Sequence, residues 1–268
     1  MGLFDVHAHL TDPRLASQEA AVLARAAEAG LTTVIANGLN PDDNARVLEL
    51  AERSDMVRPA IGLYPVDAVL PQMLAMGIEV PRSEDPVPAA DAVQWVRDHV
   101  DEAFAIGEIG LDGYWVPQEL WEPQEQAFRA LVQLAIDVDK PVIIHTRKRE
   151  RRALEVLLEL GATRVNWHCF GSKVKLGRAI ASHPGQYLSI PAIARKAENF
   201  KRLIETLPRD RVLLETDCPY LAPQRGDLNE PANVAVTVEL MAESWGCSTE
   251  AVVTQLEENF EALFGVAP

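Results

Sequence analysis

Eight short apolar runs recur along this chain, each followed by a stretch with helical spacing, and that alternation restricts the fold more than any other feature. The runs are LFDVHAH (3–9), TTVIAN (32–37), VRPAIG (57–62), AFAIGEIG (103–110), PVIIHT (141–146), RVNWHCF (164–170), QYLSI (186–190) and RVLLETD (211–217). Between them lie segments such as EAAVLARAAEAG (19–30) and EQAFRALVQLAIDV (125–138), whose apolar residues fall three and four apart. Most of the runs are apolar on both faces, the pattern of parallel strands covered by helices. Eight such units in 268 residues predict a (β/α)8 TIM barrel, α/β in class, forming a single domain over residues 1–268. A doubly wound open sheet is the alternative, since counting elements does not show closure. One connection breaks the rhythm. From 64 to about 90 the chain carries five prolines, which predicts a partly irregular loop excursion after the third strand.

Composition narrows the setting. Hydrophobic residues make up 48% of the chain and charged residues 24%, so a sizeable core is expected and long disordered tracts are not. The beginning MGLFDVHAHLTD lacks the basic and apolar segments of a leader, and no run of about 18 apolar residues occurs. The three cysteines are widely spaced and form no C-x-x-C pair. These features predict a cytoplasmic protein with no membrane contact, no disulfide framework and no cysteine zinc site. A net charge of −15 opposes long-range attraction of a polyanion, although a site can still be locally positive.

An apolar strand has no reason to end repeatedly in a polar ligand-type residue, yet these do: His7 and His9 in run 1, Glu108 in run 4, His145 in run 5, His168 in run 6 and Asp217 in run 8. His7 and His9 are two apart, so both project to the same side of a strand, the interior in a barrel. Four imidazoles and two carboxylates form the mixed donor set that zinc and other divalent ions accept. Without a cation they would suffer desolvation and like-charge repulsion. Six ligands exceed what one catalytic ion uses, which predicts two divalent ions sharing a carboxylate and suits hydrolysis of phosphate esters or amides. Glu108 and Asp217 are the candidate catalytic groups, with Asp217 as ligand, base or both. The other two histidines, His99 and His183, lack such a context and read as structural.

The stretch VIIHTRKRERR places five bases in the six residues 147–152, starting two places after the predicted ligand His145. A helix is expected to start near Arg149, and cations in its first turn oppose the helix dipole by about 0.3–1 kcal/mol each. Local structure gives them no reason to be there, so the run predicts a positive rim that holds an anion, strongest at Arg147, weaker down the run through Lys148, and giving way to solvated surface from Arg151. Tyr114, Trp115 and Trp121 are expected to cap the barrel core rather than to stack on a base, and Cys169 and Cys218 to serve packing.

Six of these segments resemble the motifs of the TatD family of metal-dependent hydrolases: FDVHAHL (4–10), IGEIGLD (106–112), PVIIHTR (141–147), WHCF (167–170), VLLETDCPYLAP (212–223) and RG..NEP (225–231), followed by ENFEALFG (258–265). The resemblance implies a TIM barrel and a two-metal site with zinc, magnesium or manganese. His7, His9 and Asp217 would hold one ion, His145 and His168 the other, with Glu108 as the bridge. It further implies hydrolysis of phosphodiesters, as a deoxyribonuclease acting 3′ to 5′ on single-stranded DNA or DNA ends, with no protein partner. Arg147, Lys148, Arg225 and Tyr64 are the expected substrate contacts. The sequence departs from the family pattern around the substrate: Tyr64 and Val66 stand where histidines are usual, Asp227 and Leu228 replace a basic pair, and the stretch after HCF is a residue short at GSK. Hydrolysis is therefore the firmer expectation, with a barrel amidohydrolase or esterase acting on a small molecule as the alternative, and an inactive metal-binding scaffold as a third.

Overall fold

The structure, a computed structural model, describes residues 2–80, 86–224 and 226–268. Its eight strands are β1 (Leu3–Ala8), β2 (Leu31–Asn37), β3 (Val57–Ile61), β4 (Ala105–Asp112), β5 (Val142–Arg147), β6 (Val165–Trp167), β7 (Gln186–Ile190) and β8 (Val212–Leu214). Neighbours in sequence are neighbours in the sheet, and all pairings are parallel. Past the last strand the chain returns to the first. Ala8 bridges Cys218, the N–H of Asp217 donates to the His7 carbonyl at 2.9 Å, and that of His9 donates to the Cys218 carbonyl at 2.8 Å. The predicted barrel is therefore the observed one.

Parallel neighbours need a crossover, and each strand is followed by a helix. These are α1 (Glu19–Glu28), α2 (Pro41–Arg53), α3 (Ala89–Asp98), α4 (Trp121–Asp137), α5 (Glu150–Leu160), α6 (Val174–Ala181), α7 (Glu198–Thr206) and α8 (Val234–Trp245), and α9 (Thr249–Phe264) follows at the end. In α4 the buried residues Ala127, Phe128, Leu131, Val132, Leu134 and Ala135 recur at helical spacing and lie against the sheet. Asn40 caps α2 by accepting from the Asp43 N–H ahead of Pro41, and Gly161 ends α5 in the left-handed region at φ 77°. On α9, Phe260 packs on Phe4 at 4.8 Å, while the Asn259 amide donates to the carbonyls of Arg209 and Val212, which ties the end of the chain to the start of β8. Among the described residues no helix is long and apolar enough to cross a membrane.

The strand limits differ from expectation on the side that matters. β4 continues to Asp112, with every residue buried, so Glu108 lies within the strand rather than closing it. β6 stops at Trp167 and β8 at Leu214, leaving His168 and Asp217 just beyond the sheet. Left-handed backbone follows each strand, with φ of 44° at Cys169 and 57° at Asp217. Gly110 allows β4 to continue past the site. Its φ is 148°, and a Cβ there would run into the His145 carbonyl of β5.

The excursion after β3 is ordered over its described part, and residues 81–85 lie outside the described residues. It carries a 3-10 turn at Asp67–Val69 and a short helix at Leu70–Ala75. Val66, Val69 and Met73 join Val116 and Leu120 in a second small core, against which Tyr64, Ile78, Val80 and Trp121 pack. Apolar burial thus anchors the excursion to the loop after β4, on the face where the strands end.

Candidate metal centre

All six ligand-type residues meet at that face. His7 Nε2 lies 3.3 Å from His9 Nε2, as the two-residue spacing requires. Asp217 Oδ1 is 3.4 Å from His9 Nε2 and 3.7 Å from His7 Nε2. Glu108 sits in the middle and divides its oxygens. Oε2 is 3.5 Å from His7 Nε2 and 3.6 Å from His9 Nε2, whereas Oε1 is 2.9 Å from His145 Nδ1 and 3.1 Å from His168 Nε2. His145 Nδ1 and His168 Nε2 are 3.3 Å apart. Two overlapping groups of three donors, which share His7, are close enough for an ion: His7, His9 and Asp217, and His7, Glu108 and His168.

Protons alone suit this arrangement poorly. Burial and the charge of His168 lower the His7 pKa to about 4, so its imidazole is neutral, yet its Nε2 faces another imidazole nitrogen and two carboxylate oxygens. Its Nδ1 is buried with no hydrogen-bond partner among the described residues. Burial would raise the Glu108 carboxyl, but the charge of His168 and hydrogen bonds from His145, His168 and His7 hold it well below the usual range. Burial likewise opposes charge on His9 and His145. Carboxylate partners, Asp217 and Glu108 for the first and Asp112 and Glu108 for the second, nevertheless raise each to about 9. Lone pairs converging at 3–4 Å in a buried site fit divalent cations, and nitrogen with carboxylate oxygen is a set that zinc or manganese takes readily.

Three further carboxylates support this centre, and strand-end reasoning missed them. Asp5 accepts from the N–H groups of His7 and Thr216 at 3.0 Å each and from the Thr216 hydroxyl, which stitches β1 to the segment after β8; burial raises its pKa to about 7. Glu215 accepts from the Ser189 hydroxyl at 2.6 Å and the Cys169 N–H at 2.7 Å, and burial beside Asp217 pushes its carboxyl well above the usual range. Asp112 Oδ2 lies 3.1 Å from His145 Nε2. Asp5 precedes the candidate ligand His7 by two residues within β1, and that same-face spacing was the available signal.

Above the centre opens a pocket of about 750 Å³, with Tyr64, Trp115, Arg147, Lys148 and Tyr220 on its walls. The Arg147 guanidinium lies 3.7 Å over the Tyr114 ring, with the Lys148 ammonium 5.1 Å from the same ring. Tyr64 sits edge-on to His145 at 5.0 Å. Arg225 lies outside the described residues. Two expectations are corrected here. Tyr114 and Trp115 do not cap the core: they are 49% and 40% exposed, because the chain leaves the sheet at Asp112 and turns them outward, and Trp121 packs against the small core of the excursion rather than against the barrel core. The basic run is not one rim either. Arg149 is buried, donates to the Trp121 carbonyl, Gln124 Oε1 and Glu125 Oε2 at 3.2–3.3 Å, and lies over the Trp121 ring. Arg152 pairs with Glu125, Glu155 and Glu159. The acids of α4 and α5 claim these two bases, leaving Arg147 and Lys148 for the pocket.

Arg149→Met is accordingly expected to destabilise the fold by about 2–3 kcal/mol, since Gln124 and the Trp121 carbonyl lose a buried donor while Glu125 keeps Arg129 and Arg152. Urea denaturation measures the loss. Unchanged stability would mean that the guanidinium is not structural.

A closed ring of eight parallel strands with a buried cluster of histidines and carboxylates at the strand ends defines a metal-dependent hydrolase of the TIM-barrel class. The family model described as TatD related DNase matches residues 4–265, and the chain belongs to that family. It is 32% identical to the uncharacterized metal-dependent hydrolase YabD of Bacillus subtilis, over 98% of this chain and 99% of that one. Against the deoxyribonuclease TATDN3 of Homo sapiens the identity is 30%, over 98% and 95%. The crystal structure of YJJV, a TatD homologue from Escherichia coli, superposes with a TM-score of 0.84 at 25% identity and 98% coverage of both chains.

Proposed function

We propose that this hydrolase cleaves phosphodiester bonds of DNA, trimming single-stranded ends from 3′ to 5′ with two divalent cations, zinc, magnesium or manganese. His7, His9 and Asp217 would hold one cation and His145 and His168 the other, with Glu108 turned to both. The division of the Glu108 oxygens between the two histidine pairs carries this reading, because a carboxylate so placed can serve two cations at once. When bound, such ions act as Lewis acids that make water nucleophilic near neutral pH and stabilise charge on the attacked phosphate. Asp217 lines the pocket and is the carboxylate assigned to take a proton: burial opposes its ionisation, but the His9 hydrogen bond and the His168 and His7 charges lower its pKa, so it enters the reaction as the carboxylate. Arg147 and Lys148 supply the anion contact, and Trp115 and Tyr64 offer aromatic faces to a base. The deoxyribonuclease name of the human relative supports DNA as the substrate.

The test is release of nucleotides from a labelled single strand with Mg²⁺, Mn²⁺ or Zn²⁺ added after chelation, run beside small esters and amides. Metal-dependent nucleotide release is expected. Turnover of a small ester or amide without it would favour an amidohydrolase, for which the apolar walls Leu39, Val66, Val80 and Phe200 provide room.

Two further results follow from the geometry. Arg147→Ala should raise KM for a single strand about tenfold, the loss of one charged contact, while metal content stays unchanged; metal loss would make the arginine structural. Metal uptake should also release protons. With pKa values raised to about 9, His9 and His145 carry their extra protons at pH 7 in the metal-free protein and must shed them to bind. Metal affinity should therefore climb from pH 6 to about 9, and calorimetry in buffers of different ionisation enthalpy should show about two protons leaving. Uptake without proton release would mean that both imidazoles are already neutral at pH 7 in the metal-free protein.

A further inference from the structure

Asp112 is fully buried at the end of β4 and reaches the centre only through His145. Its two oxygens face different ways. Oδ2 lies 3.1 Å from His145 Nε2, whereas Oδ1 accepts from the N–H groups of Tyr114 and Trp115 at 2.7 Å each. The Gln124 amide donates to its backbone carbonyl at 3.1 Å, which fixes the residue from behind. Beside it the Gly113 N–H donates to the Arg147 carbonyl at 2.8 Å, and the Arg147 side chain stacks on Tyr114. The histidine, the aromatic loop and the basic residue thus form one connected unit.

The chemistry of His145 makes the contact consequential. Its Nδ1 faces Glu108 Oε1 at 2.9 Å and His168 Nε2 at 3.3 Å, and a nitrogen that takes a cation must be the bare one. Glu108 and Asp112 therefore compete for the single proton of the neutral ring, one at each nitrogen. A carboxylate at Nε2 retains the proton there, and Nδ1 then presents a lone pair.

We propose that Asp112 is a positioning residue with two linked tasks: it sets the His145 tautomer that accepts a cation at Nδ1, and it pins the loop whose Tyr114 and Trp115 wall the substrate pocket. The proposal rests on reading His145 as a ligand. It makes one carboxylate responsible for assembling a metal site and the adjacent substrate wall together.

Asp112→Asn and Asp112→Ala separate the two tasks. An asparagine that keeps its amide oxygen on the two loop N–H groups turns its NH₂ toward Nε2, which requires a bare Nε2 and a protonated Nδ1. Alanine removes both contacts but imposes no tautomer. Metal titration by calorimetry, independent of any activity, should show affinity on the His145 side falling about 10–100-fold in the asparagine variant and less in the alanine variant, with the His7, His9 and Asp217 group unchanged in both. At saturating metal, KM for a single strand should rise only in the alanine variant. Wild-type affinity for both cations in both variants, or equal weakening of the two groups, would overturn the proposal. Selective metal loss in the asparagine variant, alongside a metal-loaded wild-type protein that releases no nucleotides, would leave Asp112 in this role and overturn the nuclease reading instead.

Discussion

Glu108→Ala should lower kcat/KM for phosphodiester hydrolysis by about a thousandfold or more, and bound metal should fall from two ions to at most one. The expectation comes from position rather than from charge alone. Glu108 is 2% exposed, and the four imidazoles reach its two oxygens at 2.9–3.6 Å. Removing it leaves His145 and His168 without an anion in the centre, and two neutral imidazoles are a weak hold for a hard divalent ion. The fold should survive, because buried histidines can shed their protons and the side chain lies at the end of the barrel interior. Metal analysis, a thermal melt and the single-strand assay measure the three quantities. Full activity with both ions present would end the two-metal reading.

The barrel was legible because both faces of its strands are buried, so the apolar runs stood out, and the helices between them carried their own period. The ligands were legible for a related reason: His7, His9, His145 and His168 interrupt apolar surroundings at points where nothing in packing calls for an imidazole. Long-range pairing was not legible. That Arg149 and Arg152 belong to Glu125 depends on how α4 packs beside α5, and the sequence shows only a dense basic run. The left-handed backbone at Cys169 and Asp217, just past β6 and β8, was not legible either, since those residue types give little notice of it. Asp112 ends the motif IGEIGLD, but its partner nitrogen lies on the neighbouring strand, a pairing that sequence order does not show.

Asp217→Asn should separate holding an ion from handling a proton. Asparagine has nearly the same volume and keeps one oxygen that can face His9 and His7, so the metal near that pair should bind more weakly but still load at saturating concentration. It cannot accept a proton. Loss of a positioned base lowers rate by about 10²–10⁴-fold, and that decrease should appear in kcat at saturating metal with KM changed little. The backbone favours this substitution over others, since asparagine tolerates the left-handed φ of 57° better than any other residue except glycine. Alanine, by contrast, would add strain at that position and confuse lost chemistry with a displaced loop. A kcat within tenfold of wild type in the metal-saturated Asn variant would assign Asp217 to binding alone. The proton would then have to be taken by another group at the centre, and Glu108, already turned to both histidine pairs, is poorly placed to take it.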